Sequence, residues 1–152
     1  MIGIGKGVTS TQNIQIDNLK IDDVFLCRRL IDLSATQFGV EPIEMEKFDY
    51  TGRSKDNTFV LKLDGNIIGF LHYSLIHNKA VLKHIHIARK LRKFGYGTIL
   101  LRHFRFHLKA LNVNEIRVKV PKRFSLLHKF LEKNDFKLRY NLIKQKYYFR
   151  LL

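Results

Sequence analysis

The chain has 152 residues, 45% of them hydrophobic, which suits one domain with one well-buried core and argues against disorder. It carries 28 Lys and Arg against 13 Asp and Glu, a formal net charge of +15 with histidine neutral. No apolar run is long enough to cross a bilayer, the opening stretch MIGIGKGVTST lacks the apolar core of a secretory signal, and a single cysteine, Cys27, excludes an intrachain disulfide framework. A cytoplasmic protein with no membrane span is the expectation.

The charge is uneven. Residues 1–78 hold 8 Lys and Arg and 10 Asp and Glu, whereas residues 79–152 hold 20 and 3. A field of that size draws polyanions and speeds their arrival. A phosphorylated cofactor, RNA or DNA, an acidic carrier protein and an anionic membrane surface all fit. So does a general solubility role.

Met1 to Ser10 is Gly-rich and reads as a flexible terminus; Gly3-x-Gly5-x-Gly7 has no strand before it to make it a phosphate loop. Asn13 to Ile16 suits a short strand. Asp22 or Asp23 can cap a helix running to about Gln37, with Cys27 in its apolar stripe, where a core role outweighs a nucleophilic one. Gly39 ends that helix, and Pro42 starts another with Ile43, Met45 and Phe48 as its apolar residues. The polar stretch DYTGRSKDN, residues 49–57, is a lid or a plain connection.

Thr58 to Leu63 alternates as a strand with Phe59, Leu61 and Leu63 on one face, and Asp64-Gly65 is a hairpin turn. Ile67 to Ile76 is the return strand, in which Gly69 signals a bulge or a close backbone neighbour. After a turn at His77 to Lys79, Ala80 to Ala88 is a fourth strand. The loop Arg92-Lys93-Phe94-Gly95-Tyr96-Gly97 leads into a helix from Thr98 to about Ala110, with Leu100, Phe104, Leu108 and Leu111 as its buried stripe. Such a loop, between a strand and a helix N-terminus, builds an anion site. The first helical N–H groups lack partners within the helix, the dipole adds partial positive charge, and glycine permits tight turning and close approach. A pyrophosphate suits it. Glu115 to Val120 is the next strand, Phe124 to Lys133 a helix, and Phe136 to Arg139 and Lys144 to Leu152 two closing strands.

This element order, with Arg92-x-x-Gly95-x-Gly97 between the fourth strand and a helix, resembles the GNAT superfamily of acetyl-CoA-dependent N-acetyltransferases. Leu63 to Phe70 looks like that family's hairpin into its third strand. Leu131-Glu132-Lys133-Asn134-Asp135-Phe136 resembles its late Tyr-Glu-Lys-x-Gly-Phe element. The resemblance covers about residues 14–152. It implies an α/β (α+β) fold with a mixed, mostly antiparallel sheet, splayed between strands 4 and 5, with helices on both faces. Residues 11–152 would then form a single domain.

The resemblance further implies acetyl-CoA as acyl donor, no metal, and an acceptor amine attacking the thioester directly. Backbone N–H groups of Arg92, Lys93, Phe94, Gly95, Tyr96, Gly97 and Thr98 would cradle the pyrophosphate, with the Arg92 and Lys93 side chains adding charge. Ile85 and Ile87 lie on the strand whose backbone pairs with the pantetheine arm in the family. Two departures concern the chemistry: Leu131 stands where a tyrosine commonly protonates the leaving thiolate, and Asp135 where glycine is usual. Ser125, Tyr140, Tyr147, Tyr148 or water would have to supply that proton. For the base, His84 and His86 are candidates because imidazole titrates near neutrality, but both lie nearer Arg92 than the family's base position. A bulge would correct the register of one; the plain alternative is that both sit on the strand face opposite Ile85 and Ile87. Glu115, acting through water, is a weaker candidate. His103 and His107 have the i, i+4 spacing of metal ligands but no acidic or cysteine partner nearby in sequence.

Two other functions stay open: a nucleic-acid-associated module on this fold without catalysis, and an acyltransferase fed by an acidic acyl carrier protein. The basic half suggests an acceptor on or near an anionic partner such as RNA or the ribosome. The chain is expected to be a monomer or homodimer.

Overall fold

The computed structural model describes residues 13–20, 23, 26–27 and 56–152. The Gly-rich terminus, the helix begun at residue 22 or 23 except Leu26 and Cys27, the helix after Pro42 and the polar loop up to residue 55 lie outside the described residues. The remainder gives seven strands: β1 (Ile14–Asn18), β2 (Asp56–Leu63), β3 (Asn66–Ile76), β4 (Lys79–Ile87), β5 (Glu115–Pro121), β6 (Lys137–Asn141) and β7 (Gln145–Leu151). Two helices, α1 (Tyr96–Ala110) and α2 (Ser125–Lys133), lie between β4 and β5 and between β5 and β6. The sheet runs β1-β2-β3-β4-β5-β7-β6, antiparallel except for the parallel pair β4 and β5. The fold class expected from the sequence is the one observed.

Both described helices contribute to one core on one face of the sheet. Leu100, Leu101, Phe104 and Leu108 of α1 and Leu131 of α2 are fully buried there with Leu61, Leu71, Ile116 and Val120. Leu111 does not join them. It is the C-cap residue of α1, past the last helical turn, and is 49% exposed; Leu101 takes the place expected for it in the buried stripe. On the opposite face Cys27 is fully buried with Val60 and Phe70. Burial, with a smaller push from Asp23, raises its thiol to about 12, so Cys27 stays a protonated packing residue.

Two features of the β3–β4 pair shape the sheet near the site. Gly69 lies opposite Ile87, and a Cβ at 69 would stand 2.6 Å from both the His86 carbonyl and Ile87 Cδ1. The close neighbour suggested by the sequence is therefore β4 itself. The second irregularity is a bulge in β4. His72 pairs with His84 and Tyr73 with Leu82, which leaves Lys83 as the extra residue. Ala80 and Leu82 face the large core before it; Ile85 and Ile87 do so after it. The bulge thus reverses the alternation and turns His84 and His86 to the other face.

The end of α2 explains why Asp135 departs from the expected glycine. Asp135 has φ +68, the Phe136 N–H bonds the Leu131 carbonyl, and the Asp135 N–H bonds the Glu132 carbonyl. This is a Schellman closure, whose left-handed residue is normally glycine because a Cβ is disfavoured there.

Two substitutions follow. Gly69→Ala should destabilise by about 2–3 kcal/mol, because neither the carbonyl nor the Ile87 backbone can yield freely. Asp135→Gly should stabilise by roughly 0.5–1 kcal/mol through relief of the left-handed backbone. Denaturant midpoints measure both.

Candidate functional site

β4 is bound to β5 only from Lys79↔Glu115 to Leu82↔Val118. Beyond the Lys83 bulge the two strands part. From His84 to Ile87, β4 keeps its pairing with β3 on one edge, and no described strand pairs with the other. Ile85 and Ile87 send their side chains into the core, so what they offer at this gap is backbone.

The chain leaves β4 through a 3-10 turn, Arg89–Leu91, and reaches the start of α1. Lys93 (φ +69) and Gly95 (φ +87) are both left-handed, two residues apart. Alternating handedness of this kind turns successive N–H groups toward one side and forms an anion-binding concavity. Gly95 is the N-cap of α1 and carries no capping side chain; the first turn, Tyr96 to Thr98, contains no acidic residue. The helix begins at Tyr96, two residues before the sequence expectation, so Tyr96, Gly97 and Thr98 are its first helical residues. Their N–H groups have no acceptor within the helix.

The side chains of the loop have distinct duties. Arg92 Nε donates to the Ile87 carbonyl at 2.9 Å and ties the loop to the end of β4. Burial, then the charge of Arg89, lowers the Arg92 pKa, but an arginine has ample margin to remain a cation. Lys93 and Phe94 are exposed, whereas the Tyr96 ring is in the core. The two glycines differ. A Cβ at Gly95 would meet open space, so that residue is required by its dihedral. A Cβ at Gly97 would stand 3.0 Å from Phe130 Cε1 and 3.8 Å from Ile87 Cγ1, so that residue is required by packing. Phe130 of α2 is the floor under the first turn of α1.

On the far face of β4, His84 is stacked on His72 with ring centroids 5.9 Å apart and planes 11° from parallel. His72 is buried and shares a 2.7 Å hydrogen bond between Nδ1 and Thr58 Oγ1. Burial above all, then the neighbouring His72, Lys83 and His86, pushes the His84 pKa down to about 4. Its imidazole is neutral at physiological pH. His86 stacks on Phe70, with centroids 5.9 Å apart.

Glu115 is not brought to this place. It opens β5 opposite Lys79, at the end of β4 away from the loop. It is 4% exposed and accepts hydrogen bonds from Arg139 and Arg117. The bonds from Arg139, then those from Arg117, outweigh its burial and lower its pKa to about 2. A carboxylate so paired, at the end of β4 away from the loop, serves as a structural anchor. His103 and His107 both set their rings edge-on to Phe59, at 4.9 and 5.1 Å, and no group of three or more metal-ligating side chains occurs among the described residues.

Leu131, at the place of the family's acid, is fully buried; among the candidate acids, Tyr148 is buried with its hydroxyl 2.9 Å from His128 Nδ1. His128 Nε2 lies 2.9 Å from the Pro121 carbonyl, which can only accept, so Nε2 carries a proton there and Nδ1 shares its bond with the Tyr148 hydroxyl. No sequence signal marks this pair, since its partners are 20 residues apart on different elements. Ser125 and Tyr140 are exposed.

The two glycines and Glu115 can be probed separately. Gly97→Ala should cost about 1–3 kcal/mol, and trimming the floor in Gly97→Ala/Phe130→Leu should recover part of it, a coupling read from a double-mutant cycle. Gly95→Ala should show no such coupling. The pKa of Glu115 falls on folding from 4.5 to about 2, so its stabilisation is complete above the upper value and disappears as pH drops through that interval. Glu115→Gln should lose roughly 1–3 kcal/mol at neutral pH and flatten the acid limb of the unfolding profile.

Comparison with known proteins agrees with this geometry. The profile described as the Acetyltransferase (GNAT) family matches residues 27–136. No curated protein matches the sequence significantly. Among solved structures, PaiA N-acetyltransferase from Thermoplasma acidophilum in complex with coenzyme A superposes with a TM-score of 0.80 at 20% identity, covering 92% of this chain and 99% of that one. An acetyltransferase from Thermus thermophilus gives 0.77 at 20% identity, with 91% and 97% covered. The ribosomal-protein-S18-alanine N-acetyltransferase from Escherichia coli gives 0.73 at 17% identity, with 92% and 93% covered. At these identities the likeness is one of fold, and the family assignment rests on the profile, which spans well over half of the sequence: the chain belongs to the GNAT acetyltransferase family.

Proposed function

We propose that the protein is an N-acetyltransferase that moves an acetyl group from acetyl-CoA to a primary amine, with residues 11–152 acting as one catalytic domain. The observation that carries this reading is the left-handed pair Lys93 and Gly95 at the start of α1, beside the place where β4 leaves β5. The fit to coenzyme A is good. The loop offers outward-turned N–H groups, an exposed Lys93 and a helix N-terminus without an acidic residue. In this reading the N–H groups from Lys93 to Thr98 hold the pyrophosphate, since that of Arg92, expected to join them, is bonded to the Arg89 carbonyl. The edge of β4 around Ile85 and Ile87, turned toward the gap, takes the pantetheine arm. When bound, the coenzyme supplies an activated thioester.

The chain's own residues then have three tasks. The backbone at the gap orients the acyl carbonyl and stabilises the oxyanion that forms on amine attack. In this reading His84, the first residue after the bulge, accepts the proton shed by the attacking nitrogen; burial keeps its ring uncharged at neutral pH and at the same time lowers its basicity. His86, packed on Phe70, is the weaker of the two candidates. The C–S bond breaks as the amide forms, and the thiolate takes its proton from water; Leu131 has none to give, and Tyr148 is engaged with His128. The surplus of 20 cations over 3 acids in residues 79–152 favours an acceptor carried on an anionic partner, RNA or the ribosome being one class and an acidic protein another.

Acetyl-CoA should raise the melting temperature, and Lys93→Glu should weaken its affinity by about tenfold or more, as expected for loss of a charge-assisted phosphate contact. His84→Ala should keep the thermal shift and lower kcat by roughly 10²–10⁴ against an amine library. A chain that ignores acetyl-CoA but binds RNA with a steep salt dependence would be a nucleic-acid module instead. One that takes acyl groups only from an acylated carrier would be a carrier-dependent enzyme.

A further inference from the structure

The hairpin of β6 and β7 ends in an apolar tip. Asn141 pairs with Lys146, and the Leu142 N–H bonds the Gln145 carbonyl at 2.9 Å, so Ile143 and Lys144 make the turn. Such turns favour Gly, Asn and Asp. Here Ile143 is 92% exposed and Leu142 beside it 53%. Next along the hairpin Tyr140 pairs with Tyr147, their rings edge-on with centroids 6.1 Å apart. Cations flank the tip. Lys144 and Lys146 belong to the hairpin, and the N–H of the exposed Lys122 bonds the Lys144 carbonyl at 3.0 Å. Residues 116–152 contain only two acids, Glu132 and Asp135, both past the middle of α2. Asp135 meets Arg150, which pairs with Ile116 near the start of β5, at the far end of the strands from the tip. The tip itself stands beside Pro121, the last residue of β5, at the end of the sheet where β4 leaves β5.

The turn does not need two aliphatic side chains in water, and burying them would recover free energy. Along the hairpin the order is aliphatic, then aromatic, with cations at the flank. A bilayer offers the matching order: acyl chains, an interfacial zone that takes tyrosine, and anionic headgroups that attract lysine. A nucleic acid would use the lysines and tyrosines and leave Ile143 in water. A second copy of the tip would bring like-charged lysines together. Strand addition is opposed by the register shift at Arg139, which disrupts the edge strand β6. We propose that the β6–β7 tip docks the protein reversibly on an anionic lipid surface. Leu142 and Ile143 enter the boundary between headgroups and acyl chains, while Lys122, Lys144 and Lys146 lie along their stems and keep their charges at the headgroups. The docking does not rest on the acetyltransferase reading, because it uses no residue of the loop or of the β4 edge.

The chain has no tryptophan, so Ile143→Trp places a single fluorescent reporter at the tip. With vesicles of phosphatidylcholine mixed with phosphatidylglycerol, its emission should move to shorter wavelength and be quenched by brominated acyl chains. Phosphatidylcholine alone should give little of either. In cosedimentation of the parent chain with the mixed vesicles, Ile143→Asp should weaken binding about tenfold or more at an unchanged Tm. Ile143→Leu should bind as the parent does. Lys122→Ala and Lys144→Ala should each weaken binding by about fivefold, and added salt should weaken it further. Three results overturn the proposal. One is a reporter that the mixed vesicles leave unmoved. Another is vesicle binding that Ile143→Asp does not change, which assigns it to charge elsewhere on the chain. The last is a reporter that moves only with a single-stranded RNA oligonucleotide, or only on self-association seen by sedimentation, which gives the tip to a nucleic acid or to a second copy.

Discussion

The extra residue in β4 is the constraint on which the rest of the structure depends. Continued without it, the alternation that buries Ala80 and Leu82 would also bury His84 and His86, placing two imidazoles beneath the helices and Ile85 and Ile87 on the other side. Burying a polar ring without partners costs free energy, and so does exposing two isoleucines. Lys83 suits the inserted position because its side chain is exposed. The same residue ends the pairing with β5, because a bulge bends its strand and increases the local twist. One insertion thus sets the core, opens the gap and orients the histidines.

Around that gap the fold allots rigid and adaptable parts differently. The rigid parts are backbone: the β4 edge, the left-handed turns at Lys93 and Gly95, and the first turn of α1 seated on Phe130. The adaptable parts are side chains such as Lys93 and Phe94, which reach solvent. Recognition through main-chain N–H groups requires a local conformation more than particular side chains. This is consistent with close superposition on acetyltransferases at 20% identity and below.

Much of this was legible in the sequence. Asp64-Gly65 specified a hairpin, and both residues have positive φ. Gly69 signalled a close neighbour, and Gly95 and Gly97 a tightly turning loop, though the packing of Gly97 on Phe130 was not legible there. The β4 bulge was also written there, as a change of phase: apolar residues fall on even numbers at Ala80 and Leu82 and on odd numbers at Ile85 and Ile87. Other features were hidden for physical reasons. Glu115 was a weak candidate base in the sequence, where its partner Arg139, 24 residues later, could not be read. The bonds from His72 to Thr58 and from His128 to Tyr148 cross elements and leave no local spacing to read. The buried, unpartnered Nε of Arg105 depends on packing, which composition cannot disclose.

The seven strands are continuous in order but not in strength. Only four residue pairs, Lys79 to Leu82 against Glu115 to Val118, join strands β1 to β4 with strands β5 to β7. A sheet with so narrow a seam resembles two plates on a short hinge, with α1 laid beside it as a brace. Its two sides can open as separate cooperative units, exchanging their amide protons at different free energies, and a molecule wedged into the seam would alter both together.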